Sequence, residues 1–163
     1  MAMEWAQGEL FSKATDAEIQ RAKFLLEKYI HMVALMRDFE AFEQELAQVA
    51  VDGETGRRID QDDLHADKTA NAVILTEKQK WVYEQYRFYT TMLRRSAGLI
   101  QDEDAKRAVE YRFFQGYSRK ETILFFRRGL SDSTIDRRIE EGTTSIANTL
   151  KLLGFFERDE MKF

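Results

Sequence analysis

Residues 104–146 read DAKRAVEYRFFQGYSRKETILFFRRGLSDSTIDRRIEEGTTSI, a pattern that predicts three short helices separated by two turns. Ser118 and Glu121 have the spacing of a capping box, in which the hydroxyl accepts from the third helical amide and the carboxylate accepts from the amide of the cap. Gly129 offers a position free to take positive φ at the second turn. Leu130 supplies an apolar plug, and Ser131 is a good N-cap for the helix that follows. Ile135 and Ile139 lie four residues apart, so they share the face that docks onto the preceding helix. Asp136, Arg137 and Arg138 are left to point elsewhere. The last two helices therefore have helix-turn-helix spacing, apolar inside and polar on the face aimed at a groove.

Upstream, Asp102–Asp104 place acids at the positive end of the first of these helices. Ala105, Ala108, Val109 and Phe113 form its inner face, and Gly116 ends it. Before it, Thr76 and Gln79 read as a capping box opening a helix through Gly98, loaded with Trp81, Tyr83, Tyr86, Phe88, Tyr89, Met92 and Leu93. A helix this apolar is expected to pack against another helix rather than to stack bases. Residues 51–68, VDGETGRRIDQDDLHADK, are polar, aperiodic and contain two glycines, so they read as a loop or linker. Their acids Asp60, Asp62, Asp63 and Asp67 lack the ligand order of a calcium loop. Thr15 and Glu18 make a further capping box, opening a helix expected to run to about Ala50 with its apolar stripe at Ile19, Ala22, Leu26, Tyr29, Val33, Met36, Phe39 and Phe42. Downstream, Ile146, Leu150 and Leu153 extend the Ile135 and Ile139 stripe, with Gly142 at an expected bend and Gly154 as a stop. The FFERDEMKF tail reads as frayed or packed against a partner. The expectation is an all-α protein: two long packed N-terminal helices in residues 1–100, with the polar linker near 51–68, then a helix-turn-helix domain in 101–163.

Composition narrows the function. The 163 residues include no proline and no cysteine. The first favours long helices; the second removes disulfides, thiolate metal ligands and cysteine chemistry. Two histidines, no phosphate-binding glycine loop and no nucleophile–base–orienter set argue against an enzyme, and no cofactor or metal is implied. No apolar run spans a bilayer and the N-terminus lacks signal-peptide organisation, so a cytoplasmic protein without a membrane partner is expected. The net charge is −4, but it is segregated. From Arg87 to Arg138, twelve basic against seven acidic residues give +5, so the remainder carries −9. The positive surplus coincides with the helix-turn-helix, the footprint expected of a nucleic-acid binder.

The order of parts resembles the ArpU family, regulators of late genes in phages of Gram-positive bacteria. The likeness rests on RAKFLLEKYIHMV in the N-terminal helix and on a polar gap before a second long helix. It rests most on a sigma-region-four-like module with Y-R-F-F-x-G-Y-S-R-K-E-T-I at Tyr111–Ile123 and L-S-x-S-T-x-x-R at Leu130–Arg137. The resemblance implies a sequence-specific double-stranded DNA binder acting near a late-gene promoter in a bacterial host, with RNA polymerase as a further partner. It places recognition positions at Ser131, Ser133, Thr134 and Arg137 and the turn glycine at Gly129. With that glycine aligned, bulky Phe125 falls where a small residue normally permits close helix crossing.

Arg137 lies midway between Ile135 and Ile139, hence on the opposite side of the helix, and its planar fork suits a guanine edge. Ser133, Thr134 and Asp136 are the other expected base contacts. Arg112, Ser118, Arg119, Lys120, Arg127, Arg128, Ser131 and Arg138 are the expected phosphate contacts. A homodimer is expected because one helix covers only a few base pairs. Two rivals share these features: a small terminase-like DNA-packaging subunit, and a protein-interaction module on a helix-turn-helix scaffold, to which Asp132 and Asp136 lend weight.

Overall fold

The computed structural model describes residues 11–59, 63–126 and 130–160, with side chains at 46, 47 and 49–73 outside the description. The fold is all-helical, 84% of it helix, and holds no strand among the described residues. In chain order the elements are α1 (Asp16–Glu27), α2 (Tyr29–Ile59), α3 (Asp63–Gly98) and α4 (Glu103–Val109), then a π-helical turn (Glu110–Phe114), α5 (Arg119–Phe125), α6 (Asp132–Leu152) and α7 (Phe155–Glu160).

Local signals set most helix starts. The Thr15 and Glu18 capping box forms in both directions. Asp102 caps α4 by accepting from the Ala105 amide at 2.9 Å, and Ser118 accepts from the Glu121 amide at 3.2 Å. Three boundaries differ from the sequence expectation. The helix opened by Thr15 ends at Glu27 rather than near Ala50. At Lys28 the amide is shared between the carbonyls of Phe24 and Leu25, both at 3.2 Å, which tightens the last turn before α2 begins. The polar stretch expected as a linker is largely helical, closing α2 at Ile59 and opening α3 at Asp63. Once a helix is nucleated, each further residue adds a backbone hydrogen bond. With no proline in the way, a glycine costs only about 1 kcal/mol relative to alanine. Consequently Thr76–Gln79 lies inside α3 rather than at its start.

Packing divides the chain into one unit of residues 1–30 with 89–163, and a second of His31–Phe88. The division expected at residue 100 is not followed, because α1 packs on α6 and α7 rather than with the second unit. The Ala14 amide donates to Asn148 Oδ1 at 2.8 Å, and Lys151 Nζ reaches Glu18 Oε1 at 3.0 Å and the Lys13 carbonyl at 3.1 Å. Asp159 on α7 accepts from Arg21 Nε at 2.8 Å, Arg21 Nη2 at 3.1 Å and the Tyr89 hydroxyl at 2.8 Å. Burial, then the bond to Asp159, pushes the Tyr89 hydroxyl up to about 12. The tail expected to fray or to pack against a partner is a docked helix through Glu160, with Phe155, Phe156 and Asp159 buried; residues 161–163 lie outside the described residues. In the second unit, Phe39 stacks on Tyr83 with ring centroids 4.9 Å apart, and the Tyr83 hydroxyl donates to Glu40 at 2.7 Å.

In the first unit, α4 and α6 form the principal helix pair. The inner face expected for α4 is observed, with Ala105, Ala108, Val109 and Phe113 all buried. Gly142 marks a close approach of α6 to α4, within a helix that runs unbroken from Asp132 to Leu152. A Cβ there would stand 2.3 Å from Val109 Cγ2 and 3.0 Å from the Ala105 carbonyl oxygen. Neither neighbour yields easily, since valine is stiff at χ1 and the oxygen belongs to the backbone. Gly154 adopts φ +73° in the turn between α6 and α7, the stop the sequence signalled.

Gly142→Ala is expected to destabilise the protein by about 1–3 kcal/mol through overpacking, against alanine's helix propensity. Gly98→Ala, where a Cβ meets nothing within 4 Å, is expected to be neutral or to stabilise by about 0.4–1 kcal/mol. Urea unfolding of both variants beside the wild type measures the two opposite signs.

Candidate nucleic-acid interface

A small second core forms where α4, α5 and α6 meet. Ala108, Phe126 and Ile135 are buried together, with Tyr111, Ile123, Leu130 and Ile139 packed against them. Ile135 and Ile139 thus dock as their spacing predicts, and Leu130 is the plug. Ser131 caps α6 by accepting from the Thr134 amide at 3.3 Å. Its hydroxyl also lies 2.8 Å from Thr134 Oγ1 and 3.2 Å from Ser133 Oγ. The three hydroxyls expected at the recognition helix start as one hydrogen-bonded cluster.

Helical geometry turns Ser133 and Arg137 away from this core, and both are exposed. Arg137 makes no ion pair among the described residues, so the pairing with Glu140 or Glu141 available to it by spacing is not formed. It opens instead onto a cleft of about 1060 Å³ shared with Glu140, Thr144 and Asn148 on α6 and with Asp102 and Ala105 at the start of α4.

Several of the expected contact residues are engaged within the fold. Asp136 does not stand free beside Arg137. Its carboxylate accepts from Arg119 Nε at 2.7 Å and Nη2 at 2.6 Å, a bidentate pair joining α5 to α6. That guanidinium holds the Asp136 carboxyl below its usual value, and the carboxylate in turn raises Arg119. Arg138 pairs with Glu141 at 2.9 Å and lies 3.6 Å from Asp102, while its Nε is buried without a partner. Arg112 lies over the Phe113 ring at 5.3 Å and donates to the Tyr117 carbonyl at 3.3 Å, bracing the turn before α5. Ser118 is occupied as a cap. Lys120 is exposed and without an ion pair among the described residues. Arg127, Arg128 and Gly129 lie outside the described residues.

Phe125 does not obstruct the α5–α6 approach. It points outward, 55% exposed, and stacks on Tyr117 at 4.7 Å, with Tyr111 at 5.6 Å. Close crossing falls to the α4–α6 pair at Gly142 instead. The residues that sequence reading did not single out are Arg21 and Asp159, which hold α1 to α7. No short-range pattern links positions 138 apart.

Because Arg119 depresses the Asp136 pKa, the pair contributes to stability at neutral pH and above the unfolded carboxyl value near 3.8. The contribution is lost as pH falls through the lower folded value. An NMR titration of the Asp136 carboxyl is expected to show a midpoint below the ordinary aspartate value, returning to it in Arg119→Gln. An unchanged midpoint in that variant would remove the pair from solution.

The chain matches no family model, no curated protein and no solved structure.

Proposed function

We propose that α4, α5 and α6 form a helix-turn-helix that binds double-stranded DNA sequence-specifically, with α6 as the recognition helix. The observation that carries this reading is Arg137, an exposed guanidinium without an ion pair among the described residues, opposite the docked Ile135 and Ile139. Ser133 lies one turn before it on the same side. A guanidinium in that position can donate both its bonds to a guanine edge in the major groove. The positive surplus between Arg87 and Arg138 supplies the long-range attraction. With the resemblance to late-gene regulators, the module is assigned to a transcriptional regulator of a phage or related mobile element, read on DNA as a homodimer.

The Arg119–Asp136 pair favours a second reading. A salt bridge across the recognition surface removes one cation from phosphate duty and keeps an acid near the backbone, as an interaction-only module would. On the DNA-binding reading the pair instead fixes the angle between α5 and α6, leaving base contact to Arg137 and Ser133.

Selection from random duplexes supplies the operator. On it, Arg137→Ala is expected to cost about 1–3 kcal/mol, with a much smaller loss on a scrambled duplex at the same salt. Arg137→Lys should not restore discrimination, since an ammonium lacks the planar fork. Equal losses on both duplexes would make Arg137 a backbone contact. Recovery of no sequence by the selection would turn the assignment to the interaction module.

A double Arg127→Ala, Arg128→Ala variant is expected to weaken binding to all sequences alike. It should flatten the dependence of log affinity on log salt by about 0.9 per lost phosphate contact. Retention of the full slope would exclude both as phosphate contacts.

A further inference from the structure

The His31–Phe88 unit holds an apolar groove of about 580 Å³ that the proposed DNA binding does not use. Leu35, Phe39 and Phe42 recur at steps of four and three on one face of α2; Leu75, Val82 and Tyr86 recur at steps of seven and four on one face of α3. Large apolar side chains remain in water here: Leu35 is 40% exposed, Phe42 46% and Leu75 52%. Ile74 and Trp81, seven residues apart on the flank of α3, are 60% and 51% exposed. Two helices laid side by side can cover only one face of each other, which leaves this face without cover among the described residues.

The charged residues at the groove say what covers it. Asp38 lines it from α2 and Lys78 from α3. Helical spacing sets each toward the edge away from the Phe39–Tyr83 contact, and neither makes an ion pair among the described residues. An acidic edge on one helix and a basic edge on the other form a self-complementary pattern. A two-fold axis that lays α2 over the partner's α3 sets the acidic edge of each copy along the basic edge of the other, with Asp38 and the partner's Lys78 staggered by about six residues, or ~9 Å, along the helices. The area agrees. At ~150–250 Å² for a large side chain, the exposed fractions above amount to about 500 Å² per protomer, or about 1,000 Å² for a pair, the lower bound for a specific interface.

We propose that this groove is the isologous interface of a homodimer, closed by a second copy of the same α2–α3 face. The inference does not depend on DNA binding, and it assigns the surface on which dimeric reading of an operator would rely.

The test is the mass of the full chain in solution by sedimentation equilibrium, without DNA, from about 1 to 100 μM. The wild type is expected at twice the monomer mass in the upper part of that range. Phe42→Lys or Leu75→Lys should weaken self-association at least tenfold while helical content is kept. Asp38→Lys alone and Lys78→Asp alone should each weaken it, and the combined exchange should restore it, which a folding defect cannot mimic. A wild type that stays monomeric at 100 μM overturns the proposal. So does a dimer indifferent to all four substitutions, a ring of many copies, or a monomer that native mass spectrometry finds carrying a small apolar ligand.

Discussion

The α4–α6 crossing at Gly142 is the constraint on which the first unit depends. Missing one side chain lets two helices meet backbone to side chain, with the Ala105 carbonyl and Val109 methyl in the space a Cβ would need. This contact sets where α6 passes α4. It thereby sets where its N-terminal half meets α5 and where its C-terminal half meets α1. The same helix carries the Ile135 and Ile139 dock at one end and the buried Ile146, Ala147 and Leu150 at the other. One rigid element thus ties the small three-helix core to the rest of the unit.

Charge is used in this fold mainly to fasten helices. Asp159 gathers Arg21 and Tyr89 against α7, Lys151 and Asn148 hold the start of α1, and Asp136 clasps Arg119. The exposed Arg119–Asp136 pair fixes orientation more than it adds stability, because solvent screens it. The partly buried Arg21–Asp159 pair is different: leaving either charge without the other would strand it away from water. Of the cations expected from sequence as DNA contacts, Arg112, Arg119 and Arg138 are engaged within the fold, while Arg137 and Lys120 make no ion pair among the described residues.

Much of the architecture was legible from the chain. The absence of proline predicted an all-helical protein. The caps at Thr15, Ser118 and Ser131, the stop at Gly154 and the buried positions of α4 and α6 all follow from local hydrogen-bonding needs and 3.6-residue periodicity. Where local reasoning failed, it failed for a local reason. A polar, glycine-containing stretch between 51 and 59 looks like a loop to a propensity argument, yet it costs a nucleated helix little to continue through it.

By itself the sequence determined the helices, their capped ends and the inward faces of α4 and α6, because those depend on residues within one or two turns of each other. Only the tertiary structure decided which charges are spent on one another. It also decided that α1 belongs with the C-terminal helices and that Gly142 is a crossing point. Ion pairs across 17 or 138 positions and the space beside a glycine are set by how helices pack, and no pattern along the chain encodes a distance between residues that are not neighbours in it.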